Sequence, residues 1–102
     1  MNPEEQKKTE EEKREYEEKL KERIDEFDQR IDEVKTKAEQ AKDERKQDLH
    51  RLLDELKTKR EQAKVRLQET RSAGAETWKN LKGRMDAALD DMKKFREKVF
   101  RK

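Results

Sequence analysis

The chain has 102 residues, of which 55% are Asp, Glu, Lys or Arg and 27% are hydrophobic, with two glycines, one proline and no cysteine. An ordinary domain carries about 45–50% apolar and about 25% charged residues, so a globular core wrapped around a pocket is not expected. With no cysteine and His50 as the single histidine, disulfide frameworks, thiol chemistry and zinc-ribbon or His-rich metal centres are excluded, and a formal net charge of +2 supplies no strong field for nucleic acid or anionic membrane.

The N-terminus, Met-Asn-Pro-Glu-Glu-Gln-Lys-Lys, lacks the apolar stretch of a signal peptide, and no run reaches transmembrane length, so a soluble cytoplasmic protein is expected. Asn2 is a good N-cap, Pro3 suits the first helical position, and Glu5 completes a capping-box pattern; a helix therefore begins at the start of the chain. Acid-to-base pairs four residues apart follow, among them Glu10/Arg14, Glu15/Lys19, Glu17/Lys21 and Glu26/Arg30, in the orientation that supports a helix. Such fine interleaving of the two signs reads as helix rather than disorder.

The few apolar residues fall in one line. It runs Tyr16, Leu20, Ile24, Phe27, Ile31, Val34, Ala38, Ala41, then a polar beat at Arg45, then Leu49, Leu52 and Leu56. After a second polar beat at Lys59 or Arg60 it resumes at Ala63, Leu67, Thr70, Gly74, Trp78, Leu81, Met85, Ala88, Met92, Phe95 and Val99. Every step is three or four residues, which is a narrow stripe on an α-helix and has the width of a coiled-coil seam. A lone helix cannot hide that stripe from water, so a partner is implied. Tyr16, Phe27, Ala38 and Leu49 keep an 11-residue spacing, whereas Trp78, Leu81, Met85, Ala88, Met92, Phe95 and Val99 keep a heptad.

An internal repeat lies on the same stripe. Residues 31–42, IDEVKTKAEQAK, and 53–64, LDELKTKREQAK, share nine of twelve identities at an offset of 22. Val34, Leu56 and Trp78 occupy one slot in successive units, and Ala41, Ala63 and Met85 another.

The pattern divides the chain into a long charged coiled-coil helix over 1–71, a small-residue segment over 72–76, and a basic amphipathic helix over 77–102. Within Ser72-Ala73-Gly74-Ala75 the helix can continue, because the seam stays in phase. It can instead hinge, with Thr77 capping a helix that folds back, or the small residues can admit a close partner helix. A hairpin near Lys42–Gln47 is not expected, because that segment has no turn residue. Residues 1–70 hold 19 basic and 22 acidic side chains, whereas residues 71–102 hold 10 and 5, so the C-terminal part is the candidate for contact with an anionic lipid surface.

Chemistry-bearing motifs are missing: there is no Gly-rich phosphate loop, no nucleophile elbow and no second histidine. His50 reads as a solvated residue flanking the seam, and Lys57-Thr58-Lys59-Arg60 as a solvated helix face. Trp78, a large ring just after the small-residue segment, reads as a packing anchor.

Tyr16, the stretch LDELKTKREQAKVRLQE over 53–69, Ala-Gly-Ala-Glu-Thr-Trp-Lys-Asn-Leu-Lys over 73–82 and the Met85 to Phe95 stretch together resemble small, uncharacterised bacterial coiled-coil domain proteins. That resemblance implies a helical bundle and no particular activity. The 22-residue phasing is also similar to exchangeable apolipoproteins and to some desiccation-linked helical proteins, without the prolines that punctuate the former.

The expected fold is therefore all-α, a coiled coil or elongated helical bundle with a hinge or turn near Gly74. Uninterrupted, it would be a rod of about 150 Å. The oligomerisation seam consists of Ile24, Phe27, Ile31, Val34, Leu49, Leu52, Leu56, Leu67, Trp78, Leu81, Met85, Met92 and Phe95, with Arg45 and Lys59 helping to fix register. The expected function is non-enzymatic and structural, in a homo-oligomer or with a helical protein partner, and with no cofactor, metal or nucleic acid. A lipid or hydrophobic-surface binder using the C-terminal helix is the alternative, and a helical stress or solvation protein the second.

Overall fold

A computed structural model describes residues 2–100; Met1, Arg101, Lys102 and the side chain of Phe100 lie outside the described residues. Three helices follow one another: α1 (Pro3–Gln40), α2 (Asp43–Ser72) and α3 (Ala75–Phe100). They form an elongated bundle of 61 × 19 × 17 Å. Its radius of gyration, 16.8 Å, exceeds the roughly 13 Å of a compact domain of this length.

The start of α1 follows the sequence closely. Asn2 takes an extended conformation and its Oδ1 accepts the Glu5 N–H at 2.8 Å, with Pro3 opening the helix behind it. From there α1 runs for 38 residues, about 57 Å at 1.5 Å per residue, and so spans nearly the whole molecule.

The first turn corrects the expectation of one helix through residue 71. Ala41 and Lys42 adopt extended backbone, and the chain reverses there. No glycine, proline, asparagine or aspartate sits at either position, and Lys42 offers α2 no side-chain cap. The reversal is held by tertiary burial: Phe27, Ile31, Val34 and Ala38 of α1 join Leu49, Leu53, Leu56, Ala63 and Leu67 of α2 in one apolar cluster. Complete burial of each large side chain contributes about 1.5–3 kcal/mol, far more than the local preference of two residues for helix.

The second break falls at Ala73–Gly74, inside the small-residue segment. Ala73 ends α2 with ψ near 127°, and the Gly74 carbonyl accepts the Trp78 N–H at 2.8 Å, opening α3. The helix thus begins two residues before Thr77, which is exposed and does not cap it. Neither glycine has a positive φ, so Gly74 supplies smallness rather than a left-handed turn.

Contacts fix the directions. Arg60 of α2 reaches Asp28 of α1, and Thr70 and Lys59 of α2 meet Met85 and Phe95 of α3, so both sequential pairs are antiparallel. Glu12, Glu26 and Arg30 of α1 meet Lys82, Arg96 and Val99 of α3, making α1 and α3 parallel and one end-to-end stack of contacts.

Candidate functional site

The stripe read as an oligomerisation seam lines the interior of this single chain. Phe27, Ile31, Val34, Leu49, Leu56, Leu67, Trp78, Met85 and Met92 are buried, and Ile24, Leu52, Leu81 and Phe95 are half-buried against them. The same slot of the three 22-residue units, Val34, Leu56 and Trp78, is filled once in each helix and is at most 1% exposed. Leu53 joins the core although the stripe placed Leu52 there; from Leu49 to Leu56 the buried face steps by four and then three residues rather than three and then four, and Leu52 flanks the core instead. Self-association through these residues therefore requires that helices change partners.

The most elaborate group of side chains lies where α3 begins. Trp78, 1% exposed, meets the Tyr16 ring edge-on with centroids 5.0 Å apart and directs its indole N–H toward Glu12 at 3.4 Å. Tyr16 donates its hydroxyl to Asp86, Lys82 pairs with the other oxygen of Glu12 at 3.4 Å, and Lys13 donates to the Ala73 carbonyl at 2.5 Å. This cluster places an aromatic pair beneath a ring of charges and ties the α2–α3 turn to α1. Burial, reinforced by the hydrogen bond to the Asp86 carboxylate, pushes the Tyr16 phenol up to about 12.

A second clasp holds the other end of α3. Phe95 tilts against Phe27 at 6.1 Å between centroids, with Lys59 above the Phe95 ring at 5.5 Å. Arg96 pairs with Glu26 at 3.0 Å, which Arg23 also approaches, and Arg30 reaches the Val99 carbonyl at 3.4 Å. The cluster Lys57 to Arg60 is thus divided rather than uniformly solvated. Thr58 returns its hydroxyl to Asp54, while Lys59 and Arg60 face α3 and α1. Arg45, the other polar beat, is exposed in the first turn of α2 and takes no part in the core. His50 is exposed.

Between α2 and α3 runs an open groove lined by Lys59, Gln62, Arg66, Arg84, Asp91 and Met92. Arg66 is engaged with Glu69 at 2.9 Å, and Met92 forms part of the core, so the groove is a seam between packed helices with a charged rim. On the same helix as that rim, a hydrogen bond from Lys94 to Asp90 raises the Lys94 ammonium above its ordinary value. Among the described residues, no group of three or more His, Cys, Asp or Glu side chains is arranged to hold a metal ion. No described helix is long and apolar enough to cross a membrane. Comparison of the chain with protein-family models, with curated proteins and with solved structures gave no match.

Proposed function

We propose that the protein is a non-enzymatic structural element of the cytoplasm, an elongated helical module that holds charged faces at set spacing and offers them to partner helices. The observation that carries this reading is the use of the apolar stripe. Its large side chains fill the interior of the bundle in two apolar clusters that meet at Leu89, and Val65 is the single large hydrophobic side chain that stands exposed among the described residues. What the module presents outward is charge: acidic and basic groups alternate along each helix, suited to a complementary helix in water. Such pairing is expected to be salt-sensitive, because exposed charges are screened over about 10 Å at 0.1 M salt.

A lipid reading draws support from one feature, the half-burial of Leu81, Ala88, Leu89, Phe95 and Val99 on the basic helix α3. Flotation with anionic phospholipid vesicles separates the two. The structural role predicts that the protein stays in the lower, lipid-free fraction with its three helices intact. Co-flotation that is lost when residues 75–102 are removed would replace it with the lipid role.

A further inference from the structure

We infer that residues 39–42 are a two-state hinge, at which α1 and α2 can fuse into one helix and exchange partners with a second copy of this chain. The sequence contains its own control. Glu39-Gln40-Ala41-Lys42 ends a helix and turns, whereas the identical Glu61-Gln62-Ala63-Lys64 passes through the middle of α2. The likeness extends upstream, where Thr36 and Thr58 donate to the carbonyls of Asp32 and Asp54 at 3.1 and 3.0 Å. Local sequence therefore accepts helix at 39–42 as readily as a turn.

The backbone change is small. Ala41 and Lys42 have φ of −86° and −78°, close to helical values, and differ from helix in ψ, at 154° and 162°. Rotating those two ψ angles straightens the chain. The turn is also thinly bonded: Ala41 N–H reaches the Ala38 carbonyl at 3.4 Å, Lys46 N–H the Lys42 carbonyl at 2.8 Å, and α2 has no side-chain cap. A fused helix would pair the helix-end groups that the turn leaves to solvent.

The fused form also keeps the apolar face in register. Val34, Ala38, Ala41, Arg45 and Leu49 follow one another at steps of three or four residues, so the face of α1 continues into that of α2. Two fused helices laid antiparallel would place α1 of one copy on α2 of the other, renewing every α1–α2 contact between chains, Asp28 to Arg60 included. Asp28 opposite Arg60 puts the two-fold axis near residue 44, with small Ala41 on one side of it and Arg45 on the other. Exchange of an identical element is a low-cost route to a dimer, because it uses an interface that already exists. The second turn is less suited to this, since it contains Gly74 and has no helical twin. Asp43 and Glu44 in the first turn of α2, and Lys37 in the last turn of α1, oppose fusion by favouring separate helix ends. The inference rests on the fold and is independent of the structural role proposed above.

The test uses spin labels on Asp25→Cys and Glu61→Cys, with doubly labelled chain refolded from denaturant in an excess of unlabelled chain at high concentration. In the closed bundle the two positions lie at nearly the same level of a rod 19 Å wide. In the fused helix they are separated by about 36 residues, or roughly 54 Å. The inference predicts a dimer fraction carrying the long distance, enriched in Asp43→Ala/Glu44→Ala. It predicts that Lys42→Pro, whose fixed φ fits the turn and breaks a helix, lowers that fraction more than about tenfold while leaving the short distance. The short distance alone, in both the unmodified hinge and the Asp43→Ala/Glu44→Ala variant, would overturn it. So would a long distance that survives Lys42→Pro.

Discussion

The α1–α2 hairpin and α3 are covered by the same stripe of residues in different ways. In the hairpin, aliphatic side chains and Phe27 interdigitate over the length of α2, and Leu20, Val34, Leu56 and Ala63 are at most 1% exposed. Helix α3 is buried at Trp78, Met85 and Met92, the last joining the hairpin core, and only partly at Leu81, Ala88, Leu89, Phe95 and Val99. Its position is set by two aromatic clasps, Trp78 on Tyr16 and Phe95 on Phe27, each bordered by ion pairs to α1. One sequence pattern thus yields a continuous core in one region and discrete anchors in the other. Regions with fewer fully buried contacts open at lower free energy, so α3 is expected to release before the hairpin unfolds.

Substitutions can break that contrast. Phe27→Ala removes a ring shared by the hairpin core and the second clasp, and is expected to cost about 3–5 kcal/mol and to lower the temperature at which the hairpin melts, as followed by circular dichroism. Trp78→Ala also deletes a large buried ring, at about 3 kcal/mol, but its effect should be local. Amide exchange would then accelerate across residues 75–100 while α1 and α2 stay protected. Equal loss of protection in all three helices would erase the distinction drawn between them.

Alkali probes the first clasp without a change in packing volume. The Tyr16 phenol is raised from 10.0 to about 12 in the folded chain, so the neutral form is favoured by folding. Its stabilisation is fully present below about pH 10 and is lost as pH rises through about 12. A decline of about 1–2 kcal/mol is expected in denaturant melts over that interval, and Tyr16→Phe should flatten it. The smallest effect is stabilising: Gly83 lies within α3 with open space where a Cβ would be, so Gly83→Ala should add about 1 kcal/mol and slow exchange in α3 alone.

Much of this fold was legible in the residues. The stripe from Tyr16 to Val99 named nearly all of the core, Asn2 and Pro3 marked the first helix start, and the small residues around Gly74 marked the second break. The turn at Ala41–Lys42 was not legible, because both residues favour helix and the identical segment at 63–64 is helical. Only the burial gained by laying α2 along α1 selects the turn, and that gain is a property of residues far apart in sequence. The scarcity of apolar residues pointed to association with other copies for the same reason: a stripe shows that a partner is needed without showing which chain supplies it. The clasps were equally hidden, since Glu12 with Lys82 and Glu26 with Arg96 join residues about 70 positions apart. Within the candidate site, Trp78 was identifiable from its place on the seam, whereas Tyr16, Glu12 and Asp86 acquire their roles only once α3 lies parallel to α1.

Two turns let this one chain cover its own seam. Small-angle X-ray scattering from a dilute solution tests it most directly. A radius of gyration near 16.8 Å and a longest dimension near 61 Å are expected. A scattering curve dominated by an unbroken rod of about 150 Å would contradict it.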